Sequence, residues 1–173
     1  GDNVSRDIHI LYTDPVNLSK GQYKHFMEKE IFEQPEVISQ LLGTYLNAFK
    51  ETLSLPSLPQ STEIKRIILI GCGTAFYSCL VAKYWFESLS SIPTQAELAS
   101  EFRYRSPVVS KDDLLIFVSQ SGETADTVGA LRFAKKYTKN ILAIGTVEQS
   151  SICLLYTSPS PRDRLSARLA SSA

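Results

Sequence analysis

The chain has 173 residues, of which 43% are hydrophobic and 21% charged. This is the length of one domain and a mixture that excludes collagen-like, low-complexity and wholly disordered classes. Eighteen Lys+Arg balance eighteen Asp+Glu, so there is no electrostatic footprint for nucleic acid or an anionic membrane. The longest purely aliphatic run, Ile67–Ile70, is too short to span a bilayer, and three cysteines are too few for a disulfide framework, so the expected compartment is the cytoplasm.

Asp7–Tyr12 reads as a short strand with nothing before it to pair with, and the first residue is Gly1, so a piece of a longer protein is expected. After Gly21, Gln22–Glu33 carries Tyr23, Phe26, Met27 and Ile31 at a helical period. Pro35 is expected to open a second helix, since proline suits a first helical position, with a wide apolar stripe from Val37 to Phe49. Leu53–Gln60 is a proline-punctuated linker.

The rhythm then changes. Arg66–Gly71 is an uninterrupted aliphatic run, the pattern of a strand buried on both faces. A helix is predicted over Thr74–Leu89, a weaker strand over Thr94–Leu98 and a short turn or helix over Ser100–Arg105. A second fully buried strand is Asp113–Val118, followed by a helix over Thr124–Lys136, with an apolar stripe of Ala125, Val128, Leu131 and Ala134, and a strand over Asn140–Gly145. Buried strands alternating with helices mean a parallel sheet covered on both faces. The expected fold is therefore α/β, a doubly wound, flavodoxin-like parallel sheet preceded by two helices. A fifth strand is expected after Ser151, where the sequence changes character. Residues 153–173, with Pro159, Pro161 and a small-residue finish, resemble translated vector sequence and are set aside as a non-native tail.

In such a sheet, ligands bind beyond the carboxyl ends of the strands where strand order reverses. Two loops stand there. Gly71-Cys-Gly-Thr74 combines glycines that permit close backbone approach with a helix start whose free N–H groups favour an anion. Ser119-Gln-Ser-Gly-Glu-Thr124 offers three hydroxyls and an amide in six residues, enough to ring a phosphate without any Lys or Arg. The competing explanation is helix capping, worth about 1 kcal/mol per cap. A cap needs one hydroxyl, and Ser119, Ser121 and Thr124 exceed that need. A nicotinamide cofactor is not expected, because Phe76 stands where the third glycine of G-x-G-x-x-G belongs. No cofactor and no metal are called for; His9 and His25 fit no metal spacing.

Together the two loops resemble those of the sugar isomerase (SIS) family of phosphosugar-binding domains. Lys24–Pro35, Lys83–Glu87 and Ala99–Arg105 are further similar to the glucosamine-6-phosphate synthase branch of that family. Members of that branch use glutamine-derived ammonia to turn fructose 6-phosphate into glucosamine 6-phosphate. The resemblance implies that residues 1–21 end a glutaminase domain and its linker and that residues 22–152 are a first SIS domain. It implies phosphate binding by Ser119, Gln120, Ser121 and Thr124, and a sugar contact by Thr74. Cys72, Gly73 and Gly122 would shape the loops. Ala75 stands where many members carry serine, so no hydroxyl contact is expected there. The family's N-terminal cysteine nucleophile is not here, and the resemblance implies that its isomerase base, ring-opening histidine and carbonyl-engaging lysine belong to a second SIS domain and a C-terminal loop. The chain is therefore expected to bind a phosphosugar within a larger aminotransferase, as a possible homodimer, without catalysing alone.

The alternative is a non-catalytic sugar-phosphate sensor. A DNA-reading segment before residue 65 would be basic, whereas residues 1–60 hold five basic and eight acidic residues. Of the remaining residues, Cys72 reads as a small buried thiol and Trp85 as core. Glu123 reads as a helix-dipole partner, Arg103 and Arg105 as surface or interface pairs, and Lys135, Lys136 and Lys139 as solvated charge.

Overall fold

The computed structural model describes residues 19–47, 52–53, 63–147, 150–156 and 167–168. In chain order these form α1 (Phe26–Tyr45), β1 (Leu46–Asn47), β2 (Thr52–Leu53), β3 (Arg66–Gly71), α2 (Thr74–Ser90), β4 (Thr94–Leu98) and α3 (Ala99–Phe102). There follow β5 (Asp113–Val118), α4 (Ala125–Ala134), β6 (Ile141–Gly145), α5 (Ser151–Tyr156) and β7 (Ala167–Arg168). The expected strand at Asp7–Tyr12 and most of the Leu53–Gln60 linker lie outside the described residues.

β3 forms where the aliphatic run predicts it, with Ile67 to Gly71 all buried. Alternate side chains of a strand point to opposite faces, so each central strand feeds two cores. Ile68, Ile70, Leu115, Phe117, Ile141 and Ala143 meet Phe102 of α3, Val128, Leu131 and Ala134 of α4, and Ile152 of α5. Ile67, Leu69, Ile116 and Leu142 meet Cys79 and Phe86 of α2 on the other side. The result is a three-layer α/β/α sandwich.

The sheet runs β4-β3-β5-β6-β7, with every neighbouring pair parallel. This is the doubly wound, flavodoxin-like order. Beyond β6, the two described residues of β7 pair with Ile144 and Gly145, inside the stretch the sequence sets aside.

At the amino ends of the strands, Arg66 donates to both carboxylate oxygens of the buried Asp113, at 3.1 and 2.5 Å. It also donates to the Val108 carbonyl at 2.7 Å. The pairing raises the Arg66 pKa, against the opposing effect of its burial, and pins the Val108 loop to the end of the sheet away from the candidate ligand loops.

Three expectations need correction. In place of two helices, α1 is one 20-residue helix running through Pro35. The proline forfeits one backbone donor, but Met27, Glu28, Lys29 and Glu30 before it and Leu41 and Leu42 after it are strong helix formers. Trp85 is 64% exposed rather than core. α2 carries apolar residues around most of its circumference, and only the side holding Cys79, Ala82 and Phe86 meets the sheet. Ala125, the first position of the predicted α4 stripe, is exposed, whereas Thr127 and Ala130 are fully buried.

Candidate functional site

From β3 the chain crosses through α2 to β4 on one side, and from β4 through α3 to β5 on the other. Strand order therefore reverses between β3 and β5, whose last residues Gly71 and Val118 are paired partners. The two loops that leave these residues enclose a cleft of about 240 Å³. Cys72, Thr74 and Ala75 line it from the first loop. Val118, Ser119, Gln120, Ser121, Thr124 and Thr127 line it from the second. All five predicted contact residues are thus brought together, and no Lys or Arg is among the lining groups.

Each loop depends on a left-handed glycine. Gly73 has φ +57° and ends the first loop as α2 begins, and Gly122 has φ +66° at the tip of the second. At Gly122 a side chain would also run into Ser150. Sequence reasoning gave both glycines, with Cys72, a loop-shaping role. Cys72 is half-buried, packing against the α4 side of the core while lining the cleft, where a small buried thiol was expected.

The hydroxyls of the second loop organise it from within. The Gly122 N–H donates to Ser119 Oγ at 3.1 Å, and the Glu123 N–H to Ser121 Oγ at 3.2 Å. Ser119 Oγ and Thr124 Oγ1 lie 3.4 Å apart. Thr124 is the N-cap of α4, yet its side chain makes no capping bond, so capping does not account for its hydroxyl.

The loop is held from behind at two points. The Gln120 carbonyl accepts from the Thr146 N–H at 3.2 Å and the Thr146 hydroxyl at 2.7 Å. The Glu123 carboxylate accepts from the Ser151 N–H and hydroxyl, both at 2.6 Å, while the Ile152 N–H donates to the Gly122 carbonyl at 3.1 Å. Bonds from the Ser151 hydroxyl, then from its N–H, hold the Glu123 pKa below the usual carboxylate value. Glu123 is a helix-start partner as expected, but the helix it serves is α5.

Sequence reasoning passed over Thr127, Thr146 and Ser151. Thr127 lies about one helical turn beyond Thr124, a spacing that marks a shared face, but it falls outside both the loop motif and the apolar stripe of the helix. Thr146 and Ser151 carry no local signal, because only β6 and α5 bring them to the loop.

Arg103 and Arg105 do not line the cleft. Arg105 pairs with Glu97, and Arg103 sits 3.9 Å from Asp126 and over the Tyr104 ring. Among the described residues no group of three His, Cys, Asp or Glu side chains gathers as a metal set, and no helix is long and apolar enough to cross a membrane.

The sequence profile of the SIS domain family matches residues 62–158. The chain belongs to the SIS domain family. Within it, the chain is 47% identical over 150 residues to the glutamine–fructose-6-phosphate aminotransferase (isomerizing) of Bartonella quintana; the match takes in 86% of this chain and 25% of that protein. The chain thus spans about a quarter of the length of the curated relative. Among solved structures, the C-terminal domain of glucosamine-fructose-6-phosphate aminotransferase from Francisella tularensis superposes with TM-score 0.71 at 37% identity, covering 88% of this chain and 41% of that one. The tagatose-6-phosphate ketose/aldose isomerase of Escherichia coli shares the SIS fold at TM-score 0.64 and 19% identity, covering 86% and 41% of the two chains.

Proposed function

We propose that the cleft binds fructose 6-phosphate, or a closely related phosphosugar, as the first SIS domain of a glutamine–fructose-6-phosphate aminotransferase (isomerising). The observation that carries this reading is the pairing of the two loops at the strand-order reversal. Side-chain hydroxyls, an amide and the start of α4 converge there on one cleft. A helix start offers unpaired N–H groups and a positive dipole end to an anion. Ser119, Gln120, Ser121 and Thr124 hold the phosphate, and Thr74 holds the sugar. The names of the aminotransferase relatives support the choice of fructose 6-phosphate over other phosphosugars.

The residues of the cleft bind and orient; the described cleft holds no carboxylate, histidine or lysine to move a proton. Transfer of nitrogen from glutamine and the ketose–aldose proton shift therefore fall to a glutaminase domain and a second SIS domain of the same polypeptide. Apolar side chains that α1 and α2 leave exposed, among them Met27, Phe32, Tyr84 and Trp85, offer those domains or a second copy a packing surface. The family match runs to residue 158 and α5 packs behind the ligand loop, so residues 153–158 go with the domain rather than with the tail set aside from the sequence; the cytoplasm is the proposed compartment.

The test is the full-length polypeptide that carries this chain, given fructose 6-phosphate and glutamine. Glucosamine 6-phosphate is the expected product. The double substitution Ser121→Ala with Thr124→Ala should lower kcat/KM by about a hundredfold or more, since each hydrogen bond to a charged group contributes about 1.5–3 kcal/mol. An intact protein that forms no glucosamine 6-phosphate overturns the reading.

A further inference from the structure

We propose that the Thr127 hydroxyl is a further ligand contact, closing on a phosphoryl oxygen at the floor of the cleft. This rests on the phosphosugar reading of the same cleft and adds a residue that the loop motifs do not contain.

Thr127 is 0% exposed, and its Oγ1 has no hydrogen-bond partner. A threonine inside a helix ordinarily satisfies its hydroxyl by bonding back to a carbonyl three or four residues earlier. Here those carbonyls belong to Thr124 and Glu123, and neither receives the hydroxyl, although the Thr124 carbonyl, which accepts the Val128 N–H at 2.9 Å, keeps a second lone pair. A buried hydroxyl left without a partner costs free energy that a valine of the same shape would not. Thr127 lies among Val128, Ala130 and Leu131, all buried, where a methyl group would pack as well. The hydroxyl is therefore unexplained by the packing of α4.

Its position explains it. α4 begins at Ala125, so Thr127 is in the first turn, where backbone N–H groups have no carbonyl partner within the helix. It follows Thr124 by one turn and lines the same cleft as Ser119, Ser121 and Thr124. An anion drawn to the helix start descends toward Thr127, and the hydroxyl donates to it. Ser119 and Thr124 close the ring from the loop side.

Isothermal titration calorimetry on the 173-residue chain, with fructose 6-phosphate and with inorganic phosphate, tests the contact. The variants are Thr127→Val, Thr127→Ser and the Ser121→Ala/Thr124→Ala pair. Thr127→Val should weaken fructose 6-phosphate binding by about tenfold or more, the usual effect of losing one hydrogen bond to a charged group. Its ligand-free melting temperature should equal or exceed that of the wild type, because no bond is lost. Thr127→Ser, which keeps the hydroxyl, should restore binding.

If Thr127→Val binds as tightly as wild type while the Ser121/Thr124 pair loses binding, this contact is wrong and the cleft reading stands. A lower ligand-free melting temperature for Thr127→Val, with no rescue by serine, makes the hydroxyl structural and also overturns the contact. A folded wild type that binds neither ligand overturns the cleft reading itself, and the contact with it.

Discussion

Cys72 and Cys79 are seven positions apart, and their environments separate their chemistry. Cys79 faces the sheet from α2 at 1% exposure, and burial pushes its thiol pKa up to about 11. The thiolate is the nucleophilic form, so this cysteine should be inert in the folded protein. Cys72 is half-buried and opens on the cleft. Brief iodoacetamide treatment at mildly alkaline pH, read by mass spectrometry, should therefore label Cys72 and spare Cys79. Saturating fructose 6-phosphate should slow labelling at Cys72. Equal labelling of both thiols would contradict the packing of α2 described above. Trp85 shows the limit of residue-level reading: size and apolarity predict burial, but a helix apolar on nearly all sides does not say which side meets the sheet.

Among the elements, the second ligand loop is only as well placed as the short helix behind it. Glu123 is solvent-exposed, yet its carboxylate receives two bonds from the first residue of α5, and these lower its pKa. A carboxylate with a lowered folded-state pKa contributes stability above its unfolded value, about 4.3. That contribution is lost as pH falls through the folded value. Calorimetric melting of wild type and Glu123→Gln should show wild type the more stable at pH 7. The gap should narrow as pH drops below about 4.3. A gap independent of pH would contradict the clasp. Element boundaries were largely legible: β3 and β5 fall where their aliphatic runs place them, because strands buried on both faces leave an unbroken apolar signature, and β4 falls where the weaker strand was expected. The single helix α1 was not, since the rule that proline opens a helix competes with helix formers on both sides, and here the helix formers win. The clasp of α5 was illegible for another reason: it joins residues 28 apart in sequence that only the sheet brings together.

For the molecule as a whole, topology and site are one fact. Because β3 lies between β4 and β5, the chain reverses its winding there, and the two hydroxyl- and glycine-rich loops open on the same cleft. The sequence motifs pointed to that cleft because their residues sit at consecutive positions after buried strands. Thr127 and the supports from Thr146 and Ser151 required the fold. The central claim is that this cleft recognises the phosphate and sugar together. The most direct measurement is a thermal-shift titration of the chain with fructose 6-phosphate, with fructose and inorganic phosphate alongside. Binding at a hundredfold excess over Kd adds about 2.7 kcal/mol of apparent stability. The account predicts a saturable rise in melting temperature with fructose 6-phosphate, little with fructose, and loss of the rise in the Ser121→Ala/Thr124→Ala variant. A folded chain whose melting temperature does not move with the sugar phosphate would contradict it and reduce the two loops to ordinary helix starts.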